Sequence, residues 1–274
     1  MYFFHIIIIE KIINKENIRI SMLKYFVINL IPFLGTTLGS AMVFLLNKNS
    51  NKKIEKLFLG FSSGVMIAAS IWSLLIPSID MSSELNIQKW IPPTIGIFFS
   101  FIILLMIDKI TKKLENKTNN NVNDKKMMVF VVTLHNIPEG LAVGVALGGA
   151  FFGNSTISFI SAFMLTLGIA IQNFPEGAII SLPLAYSGKS KGKSFFIGVL
   201  SGLVEPIAGV IAFFVTGLVS SILPYVLAFS AGAMIFVVIR ELIPESQEEG
   251  FENISTLGFF CGFLIMMILD ISFG

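Results

Sequence analysis

The stretch Met127–Ala150 reads MMVFVVTLHNIPEGLAVGVALGGA. Apart from His135 and Glu139 it holds no ionisable side chain. A helix of roughly 20 mostly apolar residues crosses a bilayer, so this stretch reads as a crossing with a carboxylate near its middle. The rest of the 274 residues agrees with it. Apolar residues make up 54% of the chain and charged residues 13%, where a soluble domain carries about 25% charged residues. The apolar residues fall in long runs and do not alternate every two positions. Crossings are expected at about Leu23–Leu46, Leu57–Pro77, Ile91–Ile110, Met127–Ala150, Ile157–Ala185, Ser194–Ser220, Leu223–Ile243 and Ile254–Phe273. The fold class is therefore all-α: a polytopic membrane protein of eight transmembrane helices.

The charges that remain lie mostly between these runs and report orientation. Cytoplasmic loops are enriched in Lys and Arg. Lys48, Lys52, Lys53 and Lys56 occupy the first loop, Lys112, Lys113, Lys117, Lys125 and Lys126 the third, and Lys189, Lys191 and Lys193 the fifth. Odd loops are thus expected in the cytoplasm and both termini outside, in a multi-pass protein of the cell membrane. A basic N-terminal extension (Lys11, Lys15, Arg19) opposes this, but three loops outweigh it. The net charge of +2 follows this pattern and implies no nucleic-acid partner; the lipid bilayer is the surrounding partner. The extension 1–22 has no signal-peptide pattern, because its charges follow its apolar part. It reads either as an interfacial helix or as an over-long start ahead of Met22, leaving 23–274 as the transmembrane domain. Residues 111–126, with Asn119–Asn121 at their centre, read as a mobile polar cytoplasmic loop. The single cysteine, Cys261, excludes an internal disulfide and a cysteine-based zinc cluster.

Two repeats stand out. Gly60-Phe61-Ser62-Ser63-Gly64-Val65-Met66 matches Ala228-Phe229-Ser230-Ala231-Gly232-Ala233-Met234 on the second and seventh crossings. These run in opposite directions, as in the inverted repeats of many transporters. Small residues also recur wherever helices pack closely. The second repeat carries more chemistry: His135-Asn136-Ile137-Pro138-Glu139-Gly140 on the fourth crossing and Gln172-Asn173-Phe174-Pro175-Glu176-Gly177 on the fifth. His135 and Glu139 lie four apart and share a helix face, as do Gln172 and Glu176. Asn136 and Asn173 flank those faces. Each proline removes a helical N–H and frees backbone oxygen one turn back. A carboxylate inside a bilayer is costly and usually faces a pathway or a partner. Glu139, Glu176 and Glu205 (in Val204-Glu205-Pro206) all fall inside crossings, and no intramembrane Lys is available to neutralise them. Three such groups would repel or take up protons unless a cation sat among them. One imidazole, amide oxygens and carboxylates suit Zn²⁺ or Fe²⁺ and admit Mn²⁺ or Cd²⁺. Without thiolates, binding is weak enough to release cargo.

Through these paired motifs the chain resembles the ZIP (Zrt/Irt-like) family of divalent metal transporters, over roughly residues 23–274. Leu141–Gly144, Ala178–Pro183, Gly60–Leu75 and Ala228–Ser246 are similar to prokaryotic members. The resemblance implies an inverted repeat of helices 1–3 and 6–8 around a central pair, 4 and 5. It implies a two-metal centre at mid-membrane: one site of His135, Glu139, Gln172 and Glu176, a second of Asn136, Asn173 and Glu205, with Glu139 and Glu176 bridging. It also implies an elevator-like movement of helices 1, 4, 5 and 6 against 2, 3, 7 and 8. Met66, Ser73, Asp80 and Asp270 stand on the outer pathway by position and Glu241 on the cytoplasmic one. Two departures matter. Gln172 replaces the His of many members, and Arg240 stands where some have a metal-binding His or an acid, so that it either gates release or neutralises Glu241. The long loop holds no histidine, so metal sensing through it is not expected. The expected function is import of divalent metal, Zn²⁺ first, as substrate and not as cofactor; the resemblance admits a homodimer. Two other classes compete: a proton-coupled carrier of another solute with glutamate relays, and an intramembrane metalloenzyme using metal-bound water. The second lacks a His-Glu-x-x-His pattern and has one usable histidine, so no enzyme is expected.

Overall fold

The computed structural model describes residues 22–45, 52–83, 87–115, 121–153, 157–186, 188–218, 220–248 and 250–273. The side chains of 111–135, 183, 186 and 220 fall outside that description, as does the extension 1–21. The described chain is helical, without strands among its described residues. Its segments are α1 (Met22–Leu45), α2 (Lys52–Ser82), α6 (Lys191–Leu218) and α7 (Leu223–Ser246), with α3 (Ile91–Glu115), α4 (Asn121–Phe151), α5 (Phe159–Tyr186) and α8 (Glu252–Phe273). All of these except α4 contain stretches long and apolar enough to cross a membrane; α4 carries the stretch quoted first.

Helix ends depart from the sequence expectation wherever polar residues continue a helix past the apolar run. α2 begins at Lys52 instead of Leu57. α3 continues to Glu115 and α4 begins at Asn121, so helix enters both ends of the segment expected as a polar loop. Bilayer thickness limits the apolar window but not the helix, and Lys and Glu are good helix formers. Lys56 shows how such an end is tied down. It is 5% exposed, donates to the carbonyl of Glu245 at the end of α7, and lies 3.7 Å from the Glu248 carboxylate.

Prolines shape the interiors. Pro206 cannot donate to the carbonyl of Gly202, and α6 is interrupted there, between Lys191–Gly202 and Val204–Leu218. α2 and α7 each contain a π-helical turn, Ser70–Leu75 and Val238–Leu242, followed by Ile-Pro. In each, the N–H of that isoleucine reaches back five residues, Ile76 to Ile71 and Ile243 to Val238. The repeat seen in the sequence thus extends into the same backbone irregularity on both helices.

The packing has the same symmetry. α1 packs on α5 and α4 on α6; α2 packs on α8 and α7 on α3; α2 also meets α5 as α7 meets α4. Exchanging α1, α2, α3 and α4 for α6, α7, α8 and α5 leaves this pattern of pairs unchanged, as an inverted repeat requires. Glycine makes the closest approaches possible. A methyl group on Gly140 would overlap the carbonyl oxygen of Glu205, and one on Gly39 that of Phe174. α4 and α6, and α1 and α5, therefore meet backbone to backbone at the level of the paired motifs.

Candidate metal centre

α4 and α5 turn their motif faces into the protein. Asn136, Glu139, Gln172 and Asn173 are 1% exposed or less, and Glu176 is 8% exposed. α4 and α5 pack on each other, with α1 against α5 and α6 against α4. Glu205 arrives from α6, one residue before Pro206, and is also buried. Glu139 stands within electrostatic reach of both Glu176 and Glu205. Six of the seven sequence-predicted residues therefore meet in one buried region. The seventh, His135, lies on α4 one turn before Glu139, and its side chain falls outside those described.

The hydrogen bonds sort these groups into two kinds. Gln172 Nε2 donates to Glu139 Oε1 at 2.9 Å. Asn173 Nδ2 donates to Glu205 Oε2 at 2.7 Å. Asn136 Nδ2 donates to Glu205 Oε1 and to the carbonyl of Ser201, both at 3.1 Å. Each amide thus spends its NH₂ on a carboxylate, which leaves its oxygen turned away from that carboxylate. Those oxygens, Asn136 Oδ1, Gln172 Oε1 and Asn173 Oδ1, are buried without a partner, and so are Glu139 Oε2 and Glu176 Oε1. Buried polar atoms are nearly always paired, and an unpaired one costs about 1–3 kcal/mol. All five are acceptors, which a proton, a donor or a cation would satisfy. Glu205 differs: both of its oxygens already accept.

No three of His, Cys, Asp and Glu converge as a ready-made metal cluster among the described residues. The buried region instead brings two carboxylates beside three amides. Such a set is harder than the cysteine and histidine cages that hold zinc permanently.

Residues expected on the pathway are spread along the scaffold helices and not gathered at the centre. Met66 is fully buried in the apolar core with Met234. Ser73, in the π turn of α2, donates to Asp270 Oδ1 on α8, and Asp270 Oδ2 is buried without a partner. Asp80 is exposed near the end of α2. Arg240 pairs with Asp108 of α3 at 3.2 Å, a partner the sequence reading did not name, and Glu241 beside it is half-buried. Sequence reasoning also missed Thr36 on α1, whose hydroxyl donates to Glu205 Oε1 at 2.9 Å, and Ser62 on α2, which donates to the carbonyl of Gln172 at 3.0 Å. Thr36 lies between Gly35 and Gly39 in an apolar run, and Ser62 within the first repeat; that was the only signal either gave.

The profile described as ZIP zinc transporter matches residues 125–270, just over half of the chain and all of the paired motifs. The chain belongs to the ZIP zinc transporter family. Full-length relatives extend the likeness beyond the profile. Zinc transporter ZIP11 of Homo sapiens is 30% identical over 323 aligned residues, covering 87% of this chain and 94% of its own. Zinc transporter ZIPB of Bordetella bronchiseptica is 32% identical over 251 residues, covering 88% and 79%. Zinc transporter GufA of Myxococcus xanthus is 31% identical over 252 residues, covering 88% and 96%. The likeness of this ZIP-family chain to these relatives thus extends over 87–88% of its length.

Proposed function

We propose that this chain carries Zn²⁺, and related divalent transition-metal ions, across the cell membrane toward the cytoplasm through the centre formed by α4, α5 and α6, with α4 as the eighth crossing. One observation carries the reading: the five buried, unpartnered oxygens of Asn136, Glu139, Gln172, Asn173 and Glu176. A neutral organic solute with mixed polar groups would call for donors as well as acceptors, whereas a metal cation calls for acceptors alone. His135, Glu139, Gln172 and Glu176 form one ion position. Asn136, Asn173 and Glu205 serve a second, with Glu139 and Glu176 shared between the two. The names of the relatives, zinc transporters all, support zinc as the first substrate.

The hydrogen bonds also support movement of two groups of helices against each other. Asn29 of α1 donates to the carbonyl of Pro206 on α6, and Ser40 of α1 to that of Gly177 on α5. With Thr36 and the amide bonds above, these join α1, α4, α5 and α6. Ser78 of α2 donates to the carbonyl of Pro224 on α7, Ser73 bonds to α8, and Arg240 joins α7 to α3. Of the hydrogen bonds and ion pairs named here, the bond from Ser62 to the Gln172 carbonyl alone crosses from one group to the other. A transporter whose halves slide needs few polar ties between them, and this arrangement fits that need.

The test is uptake of ⁶⁵Zn into liposomes containing the purified protein. Glu139→Ala and Glu176→Ala are expected to abolish uptake while protein incorporation stays normal. Uptake at the wild-type rate in both would end the proposal. Competition among Zn²⁺, Fe²⁺, Mn²⁺, Cd²⁺ and Co²⁺ in the same vesicles ranks the substrates.

A further inference from the structure

We infer that Thr36 of α1 is a positioning residue for transport, acting through Glu205 on the two asparagines that face the ion. The inference rests on the ion-binding reading above and adds to it a residue from a helix that carries none of the motif.

Thr36 is 1% exposed. It stands where α1 meets the break in α6: its side chain packs on Gly202, the last residue before the break, and its backbone packs on Gly177 of α5. A threonine hydroxyl has one proton to give. Two acceptors compete for it: the carbonyl of Pro32, 3.5 Å away within α1, and Glu205 Oε1 at 2.9 Å. The first is at the limit of a hydrogen bond, and the second is short and aimed at a carboxylate, the stronger kind of acceptor. The proton therefore goes to Glu205.

Glu205 in turn accepts from Asn136 and Asn173, one on each of its oxygens. Its orientation decides which end of each amide faces the ion. With the carboxylate held, both NH₂ groups are drawn toward α6 and both carbonyl oxygens are left facing away, unpartnered. With the carboxylate free to rotate, either amide can turn its NH₂ toward the ion, where a donor repels a cation. Glu205 is thus the hub that orients the amides, and Thr36 is what holds the hub. Both lie on the group of helices that carries the ion, so the arrangement travels intact with its cargo.

The experiment is ⁶⁵Zn uptake kinetics in liposomes for Thr36→Val, which keeps the shape and removes the proton, and Thr36→Ser, which restores the proton without the methyl. Thr36→Val is expected to raise KM for Zn²⁺ about tenfold, the scale of one charge-assisted hydrogen bond, with Vmax within about twofold of wild type; Thr36→Ser is expected to return KM toward wild type. A packing role would make serine, which leaves a small void, no better than valine. A Thr36→Val KM within twofold of wild type, or a serine variant as impaired as the valine one, overturns the inference. If the valine protein does not incorporate, Thr36→Ala is measured against the same criteria. Glu139→Gln and Glu176→Gln in parallel separate the two layers of argument. If they transport normally, the ion-binding reading itself has failed. If they are inactive and Thr36→Val keeps the wild-type KM, only the role of Thr36 is lost.

Discussion

Replacing Gln172 by leucine isolates one arm of the centre. The leucine nearly matches the glutamine in volume, and the site is fully buried, so packing changes little. Two polar interactions disappear. The 2.9 Å bond from Nε2 to Glu139 Oε1 is lost; a hydrogen bond to a charged group contributes about 1.5–3 kcal/mol. The unpartnered oxygen Oε1, one of five acceptors offered to the ion, is lost with it. In the ion-free protein the change also leaves Glu139 Oε1 without its donor, so part of the cost falls on the free state and does not appear in binding. Taking the lower end of the range, about 1.5–2 kcal/mol, zinc affinity falls roughly 10–30-fold, since about 1.4 kcal/mol is a factor of ten. The assay is the concentration dependence of ⁶⁵Zn uptake in liposomes, with protein content measured in the same vesicles. KM is expected to rise by that factor. A KM within twofold of wild type, with normal protein content, would show that Gln172 does not face the ion and that its buried oxygen is satisfied in some other way.

Other consequences follow from the same geometry. Ser62→Ala removes the single named polar tie between the two helix groups; Vmax should change by about twofold to fivefold, the scale of one neutral hydrogen bond, with KM unchanged, as read in the same uptake assay. Gly140→Val places side-chain atoms on the Glu205 carbonyl and should separate α4 from α6, abolishing uptake and lowering the thermal midpoint of the purified protein, whereas Gly192→Ala, where an added methyl group meets nothing, should change neither. The Arg240–Asp108 pair is half exposed on the arginine side, and such pairs contribute about 0–1 kcal/mol; Arg240→Gln should therefore shift the thermal midpoint by only a few degrees, measured by fluorescence during heating.

The crossings could be read directly because a bilayer imposes one strong rule, a run of about 20 apolar residues, and the chain obeys it repeatedly. The meeting of the motif residues could be read because the motif is written twice: one buried Asn-x-Pro-Glu-Gly would be an ordinary kink, while two on neighbouring crossings point to one shared buried region. What escaped notice depends on packing. Thr36 and Ser62 are small hydroxyl residues in mostly apolar helices, and such residues usually bond to their own backbone one turn back, as Ser63 and Ser70 do here. Only the approach of α1 to α6, and of α2 to α5, gives the first two a different acceptor. The break at Leu203 and the two π turns need a proline and a local fit, and the proline alone announces only the first. Arg240 looked like a neighbour for Glu241; its bond to Asp108 exists because α7 lies against α3, a pairing that sequence distance hides. Helix ends such as Lys52 and Glu115 escaped because hydropathy sees lipid and not hydrogen bonds.

The most direct test is a structure of the protein with Zn²⁺ bound, with anomalous scattering recorded at the zinc edge. Metal density is expected among Glu139, Glu176 and the side-chain oxygens of Asn136, Gln172 and Asn173, with zinc–oxygen distances of about 2.0–2.2 Å. A zinc-saturated protein with no density there, and with those five oxygens bonded to water or to neighbouring donors, would contradict it.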